Sequence, residues 1–137
     1  TLWAKHILIA TGSVPREINI ARTDGQRVVN SDHLLELPKV PESLVVLGAG
    51  AVGTEFASIF ASFGSQVTLV EMLPRLLPLQ DEEVSRQLQR SFRKRKIRSL
   101  TSTRLVGIDS RNEGLQVRIE SEGKEPERQR KGWWSRG

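Results

Sequence analysis

Cysteine is absent from the 137 residues, so the chain alone can build neither a disulfide framework nor thiolate chemistry. Any redox role has to be borrowed from a cofactor. Histidine is nearly as scarce: His6 and His33 are the only two, and neither has a partner at metal-ligand spacing, so no metal site is expected. Apolar runs are too short to span a bilayer, and the N-terminus lacks the charged start, long apolar stretch and small-residue cleavage site of a signal peptide. These features lead to the expectation of a soluble, cytoplasmic protein with no membrane partner. Aromatic residues make up only 5% of the chain and do not interleave with its cations as a stacking platform requires. Nucleic acid is therefore not an expected partner, although the net charge is +5. Length and a hydrophobic content of 37% suit one domain with a modest core. Thr1 stands first where methionine would open a chain, a hint of a longer polypeptide.

What is present is organised around residues 44–71. Leu44 to Leu47 read as an apolar strand, followed by the turn Gly48-Ala49-Gly50-Ala51-Val52-Gly53, an amphipathic helix to about Phe63, and a second strand from Val67 to Val70 that ends on Glu71. This is the order of a dinucleotide-binding βαβ unit. Gly48 permits the sharp exit from the strand, Gly50 lets backbone approach a pyrophosphate, and Gly53 lets the helix pack closely on the sheet. Amide groups of the first helical turn then face the diphosphate at the positive end of the helix dipole. Glu71 lies roughly 20 residues downstream, where a carboxylate accepts hydrogen bonds from the adenosine ribose. A 2′-phosphate about 4 Å from that carboxylate would be repelled by on the order of 4 kcal/mol per unit charge at an effective dielectric of ~20. NAD is thus expected over NADP. Met72 and Leu73 offer no cation to rescue a phosphate; Arg75 either swings in or stays a solvated surface arginine.

Along the remaining chain, Leu2 to Ala10 read as a strand buried on both faces, ended by Thr11-Gly12-Ser13-Val14-Pro15. Residues 16–42 look like an interdomain connection with a short helix at Ser31–Leu37, capped by Ser31, in which His33 is a surface or cap-adjacent residue. In the helix after the glycine turn, Val52, Phe56, Ile59, Phe60 and Phe63 predict the packed face, and Gly53, Ala57 and Ala61 a second line where the helix can approach the sheet. Glu55 reads as an acid of the first helical turn, favoured by the dipole. A further helix starts at Gln80 or Asp81, with Glu82 and Glu83 in its first turn, Arg93 to Lys96 in its last, and Val84, Leu88 and Phe92 as its buried stripe. Ile97 to Leu100 suit a third parallel strand, and Arg104–Asp109 with Leu115–Glu120 an antiparallel hairpin around Asn112-Glu113-Gly114. The fold class is α/β: a Rossmann-type parallel sheet with an appended antiparallel β-meander, incomplete.

Ala4-Lys5-His6-Ile7-Leu8-Ile9-Ala10-Thr11-Gly12-Ser13 with Pro15 resembles the segment that closes the FAD-binding domain of flavin-dependent pyridine nucleotide–disulfide oxidoreductases; a strand followed by a Gly/Pro turn is the alternative. The glycine turn, and Val67-Thr68-Leu69-Val70-Glu71 running into Met72-Leu73-Pro74-Arg75-Leu76-Leu77-Pro78, resemble the dihydrolipoyl dehydrogenase branch. That resemblance covers Leu2 to about Gly123. It implies an FAD-domain remnant and connection over 1–42, with Thr11 and Gly12 near the flavin nucleotide, an NAD-binding domain over 43–123, and an aberrant or disordered tail over 124–137. It also implies that Glu55 lies near the nicotinamide. Family members pass electrons from dihydrolipoamide through a disulfide and FAD to NAD, meet lipoyl domains of 2-oxoacid dehydrogenase complexes, and homodimerise through an interface domain. Glu71 argues against the NADP-using glutathione reductases, while mercuric reductase and soluble transhydrogenase remain alternatives, as does a non-catalytic nucleotide-binding module or inert truncation product. The FAD glycine motif, cysteine pair, interface domain and catalytic His–Glu pair have no counterpart here, so the chain alone is expected to be inactive, with no catalytic residue of its own. From Glu125 the chain departs from the family strand, and a frame shifted by two bases through Gly132-Trp133-Trp134 would restore a similar apolar run.

Overall fold

A computed structural model describes residues 1–111 and 114–121. The expected hairpin turn at Asn112-Glu113 and the tail lie outside the described residues. Three strands, β1 (Ser43–Leu47), β2 (Gln66–Val70) and β3 (Arg98–Leu100), form a parallel sheet in the order β1-β2-β3. The crossovers are α2 (Ala51–Ser62) and α3 (Glu82–Lys94), preceded in the chain by a short α1 (Ser31–Leu35). β4 (Thr103–Arg111) and β5 (Gly114–Ser121) pair antiparallel as a separate sheet. Both sheets and their directions agree with the sequence expectation.

Between the parallel sheet and its helices sits a core of Leu34, Ala57, Phe60, Val67, Leu69, Leu76, Phe92 and Ile97 with the turn residue Ala49. Small residues on α2 set its depth. Ala57 is fully buried and Gly53 lies so close to β1 that an added Cβ would fall 2.0 Å from the Gly48 carbonyl oxygen. The aromatic stripe expected to be core is a flank instead: Val52, Ile59 and Phe63 stand 56%, 44% and 64% exposed, and only Phe60 of the set is buried. Close approach by Gly53 and Ala57 rotates the helix onto its small-residue line, because main chain nearer the sheet fills the space that larger side chains would need. A similar shift occurs on α3, where Val84 is exposed and Ser85 takes the buried place, its Oγ donating to the Leu76 carbonyl at 2.6 Å.

Helix ends follow the expected chemistry with one displacement. Asp81 caps α3 by accepting the Glu83 N–H at 2.8 Å, while Glu82 and Glu83 begin the helix and Arg93 and Lys94 end it, each complementing the dipole. Arg95, just past that end, donates to Ser58 and Ser62 and ties α3 to α2. In α1 the cap is Asn30 and not Ser31: its Oδ1 accepts from the Asp32 and His33 amides, and His33 Nδ1 accepts the Asn30 N–H in return. His33 takes the place of the glutamate in a capping box.

The largest departure is at the N-terminus. Residues 2–10 are not a strand: Ile7, Leu8 and Ile9 are 83%, 90% and 80% exposed, and among the described residues nothing pairs with them. A strand exists through its ladder, and an apolar run without a neighbouring strand has no ladder to join. On β5 the expected alternation holds, with Leu115, Val117 and Ile119 half-buried and Gln116, Arg118 and Glu120 exposed.

Candidate functional site

The β1–α2 turn is shaped by its glycines in different ways. Gly48 has a φ of 93°, a left-handed conformation that side chains resist, and its N–H donates to the Val70 carbonyl at 2.8 Å, continuing the β1–β2 ladder past the strand end. Gly53 is required by the close approach to Gly48. Gly50 has neither reason. Its φ of −71° and ψ of −174° suit any residue, and a Cβ there would meet nothing within 4 Å. What its bareness leaves is open space directly before the first turn of α2.

That first turn is unblocked. No side chain caps the N-terminus of α2, and no acid lies in its first turn. Glu55 falls one residue beyond the first turn and points to solvent, so the dipole reading of this side chain is corrected. Among the described residues the amides of Ala51, Val52 and Gly53 have no hydrogen-bond partner, while the Thr54 amide is the first to close a helical bond, to Gly50. Ala51 and Val52 are exposed beside them. Such an end attracts an anion.

Glu71 closes the other side. The carboxylate is 8% exposed, with Oε2 accepting the Ala49 N–H at 2.6 Å and Oε1 accepting the Leu73 N–H at 2.9 Å. Its main chain is held on both sides, the N–H by the Leu100 carbonyl and the carbonyl by the Thr103 N–H. Glu71 is therefore fixed in position and oriented against the glycine turn. Each carboxylate oxygen keeps a lone pair beyond the one used. One further contact and the backbone conformation behind it escaped sequence reasoning: the Ala49 carbonyl accepts the Leu77 N–H at 2.8 Å, and Leu77 reaches it with a φ of 46°. The signal for the latter is weak, since leucine seldom adopts that conformation.

The sequence-derived residues thus divide. Gly48, Ala49, Gly50, Ala51, Val52, Gly53 and Glu71 are brought together, with Ala49 fully buried and its N–H already donated to Glu71. Thr11 and Gly12 lie in the exposed N-terminal segment with nothing around a Cβ placed on Gly12. Arg75 is half-buried and donates to the Pro78 carbonyl at 3.0 Å. Resolved pKa shifts are elsewhere: Asp24 is held below its ordinary value by the amides of Gln26, Val28 and Arg27, and Glu17 by Thr23. No group of His, Cys, Asp and Glu that could hold a metal occurs among the described residues. None of the helices among these residues is long and apolar enough to cross a membrane.

Known proteins resemble this chain in sequence and fold. The family model described as pyridine nucleotide-disulphide oxidoreductase matches residues 1–130. The dihydrolipoyl dehydrogenase of Zymomonas mobilis is 42% identical over 118 residues, covering 86% of this chain and 25% of that protein. Mitochondrial dihydrolipoyl dehydrogenase 2 of Arabidopsis thaliana is 38% identical, over 85% of this chain and 23% of its own. Among solved structures, LpdA of Mycobacterium tuberculosis superposes with a TM-score of 0.73 at 30% identity, over 80% of this chain and 24% of that one. The flavoprotein disulfide reductase RclA of Escherichia coli gives 0.65 at 32% identity, over 83% and 26%. The chain spans about a quarter of the length of the curated relatives it matches. A parallel βαβ unit with this turn, together with a family match over most of the residues, places the chain in the pyridine nucleotide–disulphide oxidoreductases, a family of flavin- and pyridine nucleotide-dependent enzymes.

Proposed function

We propose that this chain supplies the NAD-binding part of a dihydrolipoyl dehydrogenase-like flavoprotein, with residues 43–123 as that part and residues 1–42 as the end of the FAD domain and the connection from it. Gly50 carries the reading: a glycine with ordinary backbone angles and empty space where its side chain would be, set before an uncapped helix. A diphosphate fits that space and accepts from the amides of Ala51, Val52 and Gly53. Gly48 and Ala49 shape the turn from beneath. Glu71 then takes the ribose hydroxyls on its free lone pairs, while its bonds to Ala49 and Leu73 stop the carboxylate from rotating away. Glu55, exposed on the same helix one turn further on, is assigned to the nicotinamide end.

NAD supplies hydride acceptance when bound, and the residues of this chain bind and orient it. For FAD the donors present are too few: Thr11 and Gly12 sit in an exposed segment and make no pocket, so this chain alone is not expected to hold a flavin. Electrons from dihydrolipoamide, contact with lipoyl domains and homodimerisation belong on this reading to the whole protein. The isolated chain should show no lipoamide-dependent reduction of NAD.

Titration of the pure chain with NADH, followed by nicotinamide fluorescence, tests the reading. Saturable binding that weakens in Gly50→Ala supports it, and no change up to millimolar ligand leaves an inert product. In Glu71→Arg, NADH should bind more weakly and the preference for NADH over NADPH should shrink; an unchanged ratio removes Glu71 from the ribose.

A further inference from the structure

A buried side chain on α3, Ser85, reaches the glycine turn through two hydrogen bonds in series. Ser85 is 3% exposed and donates its Oγ–H to the Leu76 carbonyl at 2.6 Å. The peptide unit that holds this carbonyl also holds the Leu77 N–H, which donates to the Ala49 carbonyl at 2.8 Å. The Ala49 carbonyl in turn shares its peptide unit with the Gly50 N–H. No peptide bond among the described residues is cis, so within each unit the carbonyl and the N–H point in opposite directions. With its carbonyl drawn to Leu77, the Ala49–Gly50 unit turns its N–H away from the loop. Among the described residues nothing accepts that N–H, which begins the run of free amides continued by Ala51, Val52 and Gly53.

The glycine turn does not fix this orientation by itself. Flipping the Ala49–Gly50 peptide changes ψ of Ala49 and φ of Gly50 together, and glycine accepts either sign of φ. A Cβ on Gly50 would meet nothing within 4 Å, so no neighbour packed against that position restrains it either. A flipped unit would aim a carbonyl oxygen where the amide now points, and a carbonyl oxygen repels an anion. What holds the unit is Leu77, at a φ of 46° that leucine seldom adopts and that persists only where its surroundings enforce it. Those surroundings are firm. Leu76 is 1% exposed, the Gln80 N–H closes on the Leu77 carbonyl at 2.8 Å, and Ser85 grips the Leu76–Leu77 peptide from α3. Bonds in series also polarise one another, which makes the Gly50 N–H a better donor.

We propose that Ser85 is a positioning residue of the anion site: through the Leu76–Leu77 peptide it locks the Ala49–Gly50 peptide so that the turn offers an amide, and not a carbonyl oxygen, to the diphosphate of a dinucleotide. This rests on the reading that a diphosphate sits before α2. It adds Gly50 to the amide donors there and names the side chain that sets it, although Ser85 itself touches no ligand.

ADP and adenosine, titrated into the isotope-labelled full chain and followed by its amide resonances, separate this role from a general loosening of the fold. In the unsubstituted chain ADP should shift the Gly50 amide together with Ala51 and Val52, whereas adenosine should leave Gly50 in place. Ser85→Ala should weaken ADP by about threefold to tenfold, the range for one lost hydrogen bond, while adenosine binds as before. Equal weakening of both ligands would mean that Ser85 only supports the fold and would overturn the proposal. ADP binding indifferent to the substitution overturns it too, and leaves the diphosphate reading standing. An unsubstituted chain with no response to ADP brings down both. Should Ser85→Ala fail to fold by circular dichroism, the unsubstituted chain decides: a Gly50 amide that stays in place while Ala51 and Val52 move with ADP excludes the proposed role.

Discussion

Residues 2–10 and residues 44–47 are similar in composition and opposite in outcome. Both are short apolar runs followed by a glycine-containing turn, Thr11-Gly12 in one case and Gly48-Ala49-Gly50 in the other. The second is a strand with β2 alongside and α2 above, whereas the first stands in solvent with its isoleucines exposed. Apolar character is therefore a request for neighbours. What separates the two is that β1 is followed within 20 residues by its own partner strand, delivered by the α2 crossover, while among the described residues nothing is delivered to residues 2–10.

The contrast can be broken most forcefully from the ordered side. Phe92→Ala, at a side chain only 2% exposed, should cost about 3–5 kcal/mol in urea unfolding, enough to unfold a domain of marginal stability. A loss below 1 kcal/mol would mean that α3 is not seated on the sheet. Gly53→Ala comes next, because its Cβ would collide with the Gly48 carbonyl, and overpacking of this kind costs about 1–3 kcal/mol. Gly50→Ala, three residues away, should leave stability within about 0.5 kcal/mol and impair NADH binding instead. If the two glycines behaved alike, the division between a packing glycine and a ligand glycine would fail.

Glu71→Gln sharpens the ordered half further. One charge-assisted bond to a main-chain amide weakens and the other is lost, because the new Nε2 cannot accept, at a cost of about 1–3 kcal/mol in thermal or chemical unfolding. In the exposed segment, Ile9→Lys should change the stability of the protein by no more than about 0.5 kcal/mol, since the side chain is 80% exposed. The smallest effect is acidic. Asp24 accepts three amides of its loop and is held below its ordinary value of 3.8. Its contribution is present above that value and fades as pH falls through the lowered one. Amide shifts of Gln26, Arg27 and Val28 in an acid titration should report it.

Legibility in the sequence followed the range of the interactions. Strand, glycine turn, helix and Glu71 were readable because each depends on residues within one βαβ unit. Asp81 as a cap and the alternation on β5 were readable for the same reason. The packed face of α2 was not. Periodicity gives Val52, Phe56, Ile59, Phe60 and Phe63 as one stripe, and only the approach of Gly53 to Gly48 decides that Phe60 goes in while Val52, Ile59 and Phe63 stay outside. Asn30 in place of Ser31, and Ser85 in place of Val84, are choices between adjacent residues that local pattern leaves nearly equal.

Chemistry carried by single residues was set by the chain alone: no thiol, two unmatched histidines, three glycines at fixed spacing and an acid after the second strand. Tertiary structure decided what those residues face. It bound Glu71 to Ala49 and Leu73, left the Gly50 side of the turn open, and left β1 and residues 2–10 without partners. The reason is that backbone conformation and charge are properties of a residue, whereas burial and an unfilled edge are properties of whatever lies beside it.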